Sequence, residues 1–136
     1  MEDQNFHKVK KIIFIILFLF VFNSNSYSQN FKLEKLVNLD SPWGSSFINS
    51  NEIIVTEKSG KIKIVNILSR EVQEISHQLN FVVHGQGGLL DIIHKDNNIW
   101  ISYTEDRGGY KTSTSIAKAE FNKKQLNFKN IFQANP

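Results

Sequence analysis

Gln86 stands between Gly85 and the pair Gly87-Gly88, and the apolar run Leu89-Leu90-Asp91-Ile92-Ile93 follows at once. Three glycines around one polar side chain let the backbone take positive φ or pass close to a ligand, while the strand that follows anchors the loop. An amide offers two donors and an acceptor without charge, which suits an uncharged polar group of a small molecule. The other reading of the same residues is a loop glutamine that bonds its own backbone. Gln78, nearby but without glycine flanks, carries no such signal and serves as the inert comparison.

The histidines invite a metal reading that their spacing does not support. His77, His84 and His94 are separated by seven and ten residues, no cysteine is present, and no pair has the i, i+4 spacing of a zinc helix. His84 is the one placed to matter, because it lies two residues before Gln86. Lysines alternate with acids and asparagines and form no stripe, so nucleic acid is not an expected partner.

The elements that must hold this loop are short and β-branched. Ile53 to Thr56 and Lys61 to Val65 flank Ser59-Gly60 as a hairpin, and Leu89 to Ile93 and Ile99 to Thr104 flank Asp96-Asn97-Asn98 as a second. A third is expected from Ser115 to Phe121 and Leu126 to Lys129 around Asn122-Lys123-Lys124-Gln125. No window of helical period competes with these, so the fold class is all-β. Strands near Trp43 to Ile48, Ile53 to Thr56, Lys61 to Asn66 and Glu71 to Ile75 make one four-stranded meander. Strands at Leu89 to Ile93, Ile99 to Thr104, Ser115 to Phe121 and Leu126 to Phe132 make another. The repeat of about 46 residues is in the range of a propeller blade, and two blades are too few to close. A small sandwich of about eight strands fits the same length.

The N-terminus reads as a leader. Lys8, Lys10 and Lys11 precede an eleven-residue apolar run from Ile12 to Phe22, and Ser26-Tyr27-Ser28 supplies small residues at a cleavage site. Eleven helical residues span roughly 16 Å, short of a bilayer core of about 30 Å. Residues 1–28 are therefore expected to be a cleaved signal peptide, leaving no stable membrane anchor and a periplasmic or secreted protein. The remaining 108 residues carry a net charge of +2.

In order and spacing, Ser41-Pro42-Trp43-Gly44, Ile54-Val55-Thr56-Glu57-Lys58-Ser59-Gly60-Lys61-Ile62 and Gly85-Gln86-Gly87-Gly88-Leu89-Leu90-Asp91 resemble the N-terminal part of the soluble PQQ-dependent sugar dehydrogenases, the aldose sugar dehydrogenase and glucose dehydrogenase family. The resemblance runs from about Leu39 to Phe132. It implies a β-propeller of four-stranded antiparallel blades, with residues 29–136 forming about the first two of six. It also implies oxidation of an aldose to its lactone with PQQ as electron acceptor and calcium as electrophile. Gln86 matches the family glutamine beside substrate and cofactor, and is the residue expected to touch both. Trp43 is expected to fill the gap between blades, and Thr56-Glu57 to make a buried-edge hydrogen bond to a neighbouring loop. His94-Lys95-Asp96 departs from the family's His-Pro-Asp-Phe, which puts the tip of that blade in doubt.

The family's catalytic base, its quinone-binding basic residues and its calcium ligands all come later, so no catalytic or metal residue is assigned within the chain and these are expected downstream of Pro136. The chain is thus expected to be an N-terminal fragment of an exported sugar oxidoreductase. A non-catalytic secreted propeller binding glycan or protein is the alternative, since fold does not fix function. A third reading takes the 136 residues as a whole small β-domain. The leader reading predicts removal after Ser28, leaving Gln29 first. Intact-mass measurement of exported protein checks this, and a mass that still includes Met1 overturns it.

Overall fold

The computed structural model describes residues 31–136 together with His7, Lys10, Lys11, Ile13 and Phe14, which are helical. Apart from those five residues, the leader expected over 1–28 lies outside the described residues. Among the described residues no helix is long and apolar enough to cross a membrane. All strands fall in the unit Lys35–Pro136.

Strands β1 (Pro42–Asn49), β2 (Glu52–Glu57), β3 (Ile62–Asn66) and β4 (Val72–His77) form an antiparallel meander. Its turns are set by polar side chains that bond their own backbone. Asn51 N–H donates to Asn49 Oδ1 at 2.9 Å, and Leu68 and Ser69 N–H donate to Asn66 Oδ1 at 3.0 and 2.9 Å. Strands β5 (Leu89–Lys95), β6 (Asn98–Asp106) and β7 (Thr112–Glu120) start a second sheet. Asp96 and Asn97, with φ of 49° and 58°, make the two-residue turn between β5 and β6, where residues that tolerate left-handed backbone are required. The all-β reading and the first two hairpins therefore match the structure.

The third hairpin does not. Expected to fold back on β7 from Leu126, the chain instead crosses to the first sheet, where β8 (Gln125–Leu126) pairs parallel with Ser76 and His77 of β4. Only at β9 (Lys129–Gln133) does it return to pair antiparallel with β7. Burial drives the detour. Leu126 and Phe128, 0% and 7% exposed, enter the core that joins the two sheets, which Ile54, Ile62 and Ile75 line from one side and Leu89, Ile99 and Ile101 from the other. Burying each such side chain contributes about 1.5–3 kcal/mol.

Polar contacts then seal the crossing. Gln73 Nε2 donates to Lys123 O at 2.8 Å, the Ser76 hydroxyl to Lys124 O at 3.0 Å, and Lys123 Nζ pairs with the Glu52 carboxylate at 2.6 and 2.8 Å. Gln78 clamps Phe128 from both sides, its Nε2 donating to Phe128 O at 2.9 Å and its Oε1 accepting Phe128 N–H at 3.3 Å. It is not the inert glutamine that its sequence context suggests.

Trp43 also departs from expectation. It is 48% exposed, and Lys58 Nζ lies 5.8 Å from its ring centroid, so it does not fill the gap between these two sheets. Gly44 next to it is what the close approach of the sheets demands. A Cβ there lies 2.7 Å from Asp91 Cα and 2.8 Å from Leu90 O, distances no side chain tolerates.

Gln78→Ala removes two hydrogen bonds to the backbone of a buried residue, each with a net worth of roughly 0.5–1.5 kcal/mol, and is expected to cost about 1–3 kcal/mol of stability. Equilibrium unfolding of the product of the complete natural gene measures it. An unchanged midpoint removes the clamp from the account of the crossing.

Candidate functional site

Two β-bulges facing each other place the glycine loop. In β1 three residues, Pro42 to Ser45, advance against two in β2, and in β5 three residues, Leu89 to Ile92, advance against two in β6. Each bulge frees backbone groups from its own ladder. Thr56, fully buried, takes both: Gly44 N–H donates to Thr56 Oγ1 at 3.0 Å, and the Thr56 hydroxyl donates to Leu90 O at 2.6 Å. The first sheet thus holds the strand that follows Gly88. Ser46 adds a second tie, its Oγ accepting His94 N–H at 3.0 Å.

The β2–β3 turn braces the loop from below. Lys58 Nζ donates to the Gly85 carbonyl. Gly88, at φ 138°, lies so close that an added Cβ meets Lys58 O at 2.3 Å. On the other side Thr104 N–H donates to Gly88 O at 2.9 Å, and Thr104 Oγ1 lies 3.0 Å from where a Cβ on Gly87 would stand. Gly87 N–H donates to His84 O at 2.7 Å and closes a turn with Gly85 and Gln86 at its tip.

Gln86 is exposed on that tip, and its amide hydrogen-bonds to no described residue. Space above Gly85 is open, with nothing within 4 Å of a Cβ built there. A rigid turn that offers an uncommitted amide beside open backbone fits a carbonyl of a planar quinone or a sugar hydroxyl. Among the described residues no three His, Asp or Glu side chains converge where they could hold a metal ion.

The other polar residues have work in the scaffold. Glu57 is fully buried; its Oε1 accepts Asp40 N–H and Lys63 Nζ, both at 2.7 Å, while Oε2 has no partner. Burial pushes its carboxyl up, but the Lys63 and Asp40 bonds outweigh it and hold the carboxyl below its usual range. With Thr56, it makes the tie to a neighbouring segment that the sequence suggests. His77 Nε2 lies 2.7 Å from Gly60 O and so carries the proton, leaving Nδ1 to accept Leu79 N–H at 3.2 Å. His94 packs its ring against Phe121 at 5.1 Å. His77 thus has both ring nitrogens engaged.

Glu105 is the residue that sequence reasoning missed. Near the end of β6, its carboxylate accepts the Ser115 hydroxyl at 2.6 Å, Arg107 Nη1 at 2.7 Å, Asn130 Nδ2 at 2.9 Å and Gln133 Nε2 at 2.8 Å. Burial alone pushes this carboxyl up, but the donors from Ser115, Gln133, Arg107 and Asn130 together bring it down to about 2. One carboxylate therefore joins β6, β7 and β9 beneath the loop face. In an alternating strand an acid reads as solvated, and no local spacing gives away donors 25 and 28 residues on.

The chain is all-β, and its second sheet opens on a braced Gly-Gln-Gly-Gly turn. It belongs to the glucose/sorbosone dehydrogenase family, whose model matches residues 39–136. Over 107 residues it is 26% identical to the aldose sugar dehydrogenase YliI of Escherichia coli, covering 72% of this chain and 29% of that protein. The structure is similar to the apo-form of the soluble aldose sugar dehydrogenase of Escherichia coli, with a TM-score of 0.66 and 25% identity over 72% of this chain and 31% of the other. It shares its fold with the PQQ-bound form of an aldose sugar dehydrogenase from Streptomyces coelicolor, at a TM-score of 0.62 and 20% identity over 73% of this chain and 32% of the other. The chain spans under a third of the length of the curated relatives it matches.

Because the Glu105 carboxyl is held at about 2, against 4.5 for an ordinary glutamate, its ionised form stabilises the fold above the ordinary value. That contribution is lost as pH falls from 4.5 toward 2. Glu105→Gln is expected to lower the Tm near neutral pH, and the gap to wild type to close across that acid window. Thermal melts of both proteins through the window check this, and a gap that is constant with pH contradicts it.

Proposed function

We propose that this chain forms the N-terminal part of an exported quinoprotein that oxidises aldose sugars to lactones, arranged as the first two blades of a six-bladed propeller. The observation that carries the reading is the uncommitted Gln86 amide on a turn fixed by Lys58, Thr104 and Thr56, in a chain whose family match covers residues 39–136. Exposed apolar side chains on the two sheets, Phe47, Val72, Ile93 and Phe132 among them, support further blades packed against these.

In the reaction, the C1–H of the sugar departs as hydride while the C1 hydroxyl proton goes to a base, and a C=O bond forms at C1. PQQ, when bound, supplies the two-electron acceptor for that hydride. The role of this chain is positional. Gln86 Nε2 donates to a sugar hydroxyl or a quinone carbonyl and holds the two reactants in register, and the turn's rigidity keeps the amide from re-pairing with its own backbone. The base, the quinone's basic partners and the calcium ligands are placed in residues outside this chain.

Gln86→Ala in the product of the complete natural gene is expected to lower kcat/KM on aldoses by about 2- to 13-fold, the equivalent of one neutral hydrogen bond of roughly 0.5–1.5 kcal/mol made in the transition state. Thermal unfolding is expected to be unchanged, because the amide bonds to no described residue. Wild-type kcat/KM together with wild-type PQQ affinity in the variant makes Gln86 a loop residue with no part in the site.

A further inference from the structure

Among the described residues, the Gly85 to Gly88 turn accepts one hydrogen bond from a side chain, that of Lys58, whose ammonium donates to the Gly85 carbonyl. The main chain of Lys58 is itself fixed at both ends. Its N–H donates to Ser41 O at 3.0 Å, and its carbonyl oxygen lies 2.3 Å from where a Cβ on Gly88 would stand. The side chain therefore leaves from a fixed point and crosses to the turn, with Nζ 5.8 Å from the Trp43 ring centroid. An exposed lysine contact of this kind is worth little to stability. What it can do is choose the orientation of one peptide group.

Gly87 N–H donates to His84 O at 2.7 Å, so Gly85 and Gln86 are the central residues of a turn. Gly85 has φ 55° and Gln86 keeps negative φ, the pattern of a type II′ turn. The peptide between them is trans, and in a planar trans peptide the carbonyl and the N–H point in opposite directions. With its carbonyl on Lys58, this peptide sends the Gln86 N–H away from the β2–β3 hairpin. That N–H, like the side-chain amide, has no partner among the described residues, and the space above Gly85 is open. Turned over, the peptide would aim an N–H at the ammonium and require Gln86 to take positive φ.

We infer that Lys58 is a positioning residue of the site: by holding the Gly85 carbonyl it presents the Gln86 backbone N–H, beside the side-chain amide, as a second donor to a carbonyl or hydroxyl oxygen of the ligand. The inference rests on the function proposed above and adds a residue and a donor to its site. Lys58 acts through one peptide group and does not touch the ligand. Its charge also polarises the peptide that it holds, which strengthens the N–H on the far side as a donor.

The test uses Lys58→Met, Lys58→Arg, Gln86→Pro and the Lys58→Met, Gln86→Pro double variant, all expressed from the complete natural gene. Lys58→Met is expected to lower kcat/KM on glucose with PQQ by about three- to tenfold at an unchanged Tm, and Lys58→Arg, which still donates to a carbonyl, to stay within about twofold of wild type. Gln86→Pro removes the N–H, so Lys58→Met in that background is expected to cost less than about twofold. A full loss in that background means that Lys58 meets the ligand directly, and no loss in the wild-type background means that it positions nothing; either overturns the inference. The second readout is independent of activity: the nuclear magnetic resonances of the Gly85 carbonyl and the Gln86 amide in ligand-free protein. They are expected to move in Lys58→Met and to return in Lys58→Arg, and resonances that stay at wild-type values overturn the inference whether or not Gln86→Pro folds. If wild type oxidises no aldose while the resonances respond in this way, the proposed function falls and the hold of Lys58 on the peptide stands.

Discussion

A single hydroxyl, that of Thr56, couples the two sheets at the point where the site begins. It accepts from Gly44 and donates to Leu90, so both of its hydrogen-bonding directions are consumed by backbone groups that the two bulges expose. Without it, a buried N–H and a buried C=O lose their partner together, and an unsatisfied buried polar group costs about 1–3 kcal/mol. Valine lacks the oxygen, and serine keeps it but lacks the methyl group that helps fix the rotamer. Strand β5 takes its position from this contact, and the Gly85 to Gly88 turn takes its position from β5.

The two acids next to this coupling solve the burial problem in different ways. Glu57 loses its hydration entirely and recovers an ion pair with Lys63 and a backbone N–H, but one oxygen stays unpartnered. Its net contribution is modest, because a buried ion pair mostly offsets its own desolvation. Glu105 keeps slight contact with solvent, at 12% side-chain exposure, and gathers donors from four side chains. Charge-assisted bonds are about twice as strong as neutral ones, so here the hydrogen bonds win over burial. The stronger hub therefore joins β6, β7 and β9, and the weaker one holds the segment before β1 against β2 and β3.

What the sequence makes legible is whatever repeats locally. The alternation in Lys61 to Val65, the Asp96-Asn97 turn and the glycine-flanked Gln86 all express constraints satisfied within a few residues, and all three elements stand where the pattern places them. The Thr56-Glu57 tie is legible only through the family resemblance. Long-range polar contacts are not legible at all: Gln78 with Phe128 at a separation of 50 residues, Lys58 with Gly85 at 27, and Glu105 with Gln133 at 28. The β8 crossing fails for a related reason. Leu126-Asn127-Phe128 has the period of a strand, and a strand pattern states which side chains are buried but not which sheet buries them. Trp43 fails because aromatic identity suggests core, while its bulge turns the ring outward beside Lys58.

This division of labour bears on how the site can change. Gly87 and Gly88 are held by backbone contacts that leave no room for a side chain, whereas the Gln86 amide is uncommitted and the space above Gly85 is open. The tip at Gly108 to Tyr110 is tied only at its base, and no atom lies within 4 Å of a Cβ built on Gly108 or Gly109. There is room at that tip for larger side chains, but the positive φ of Gly108 and Gly109 strains any other residue placed there. The two turns thus differ in kind: one is fixed by the strands around it, and the other is open on all sides but its base.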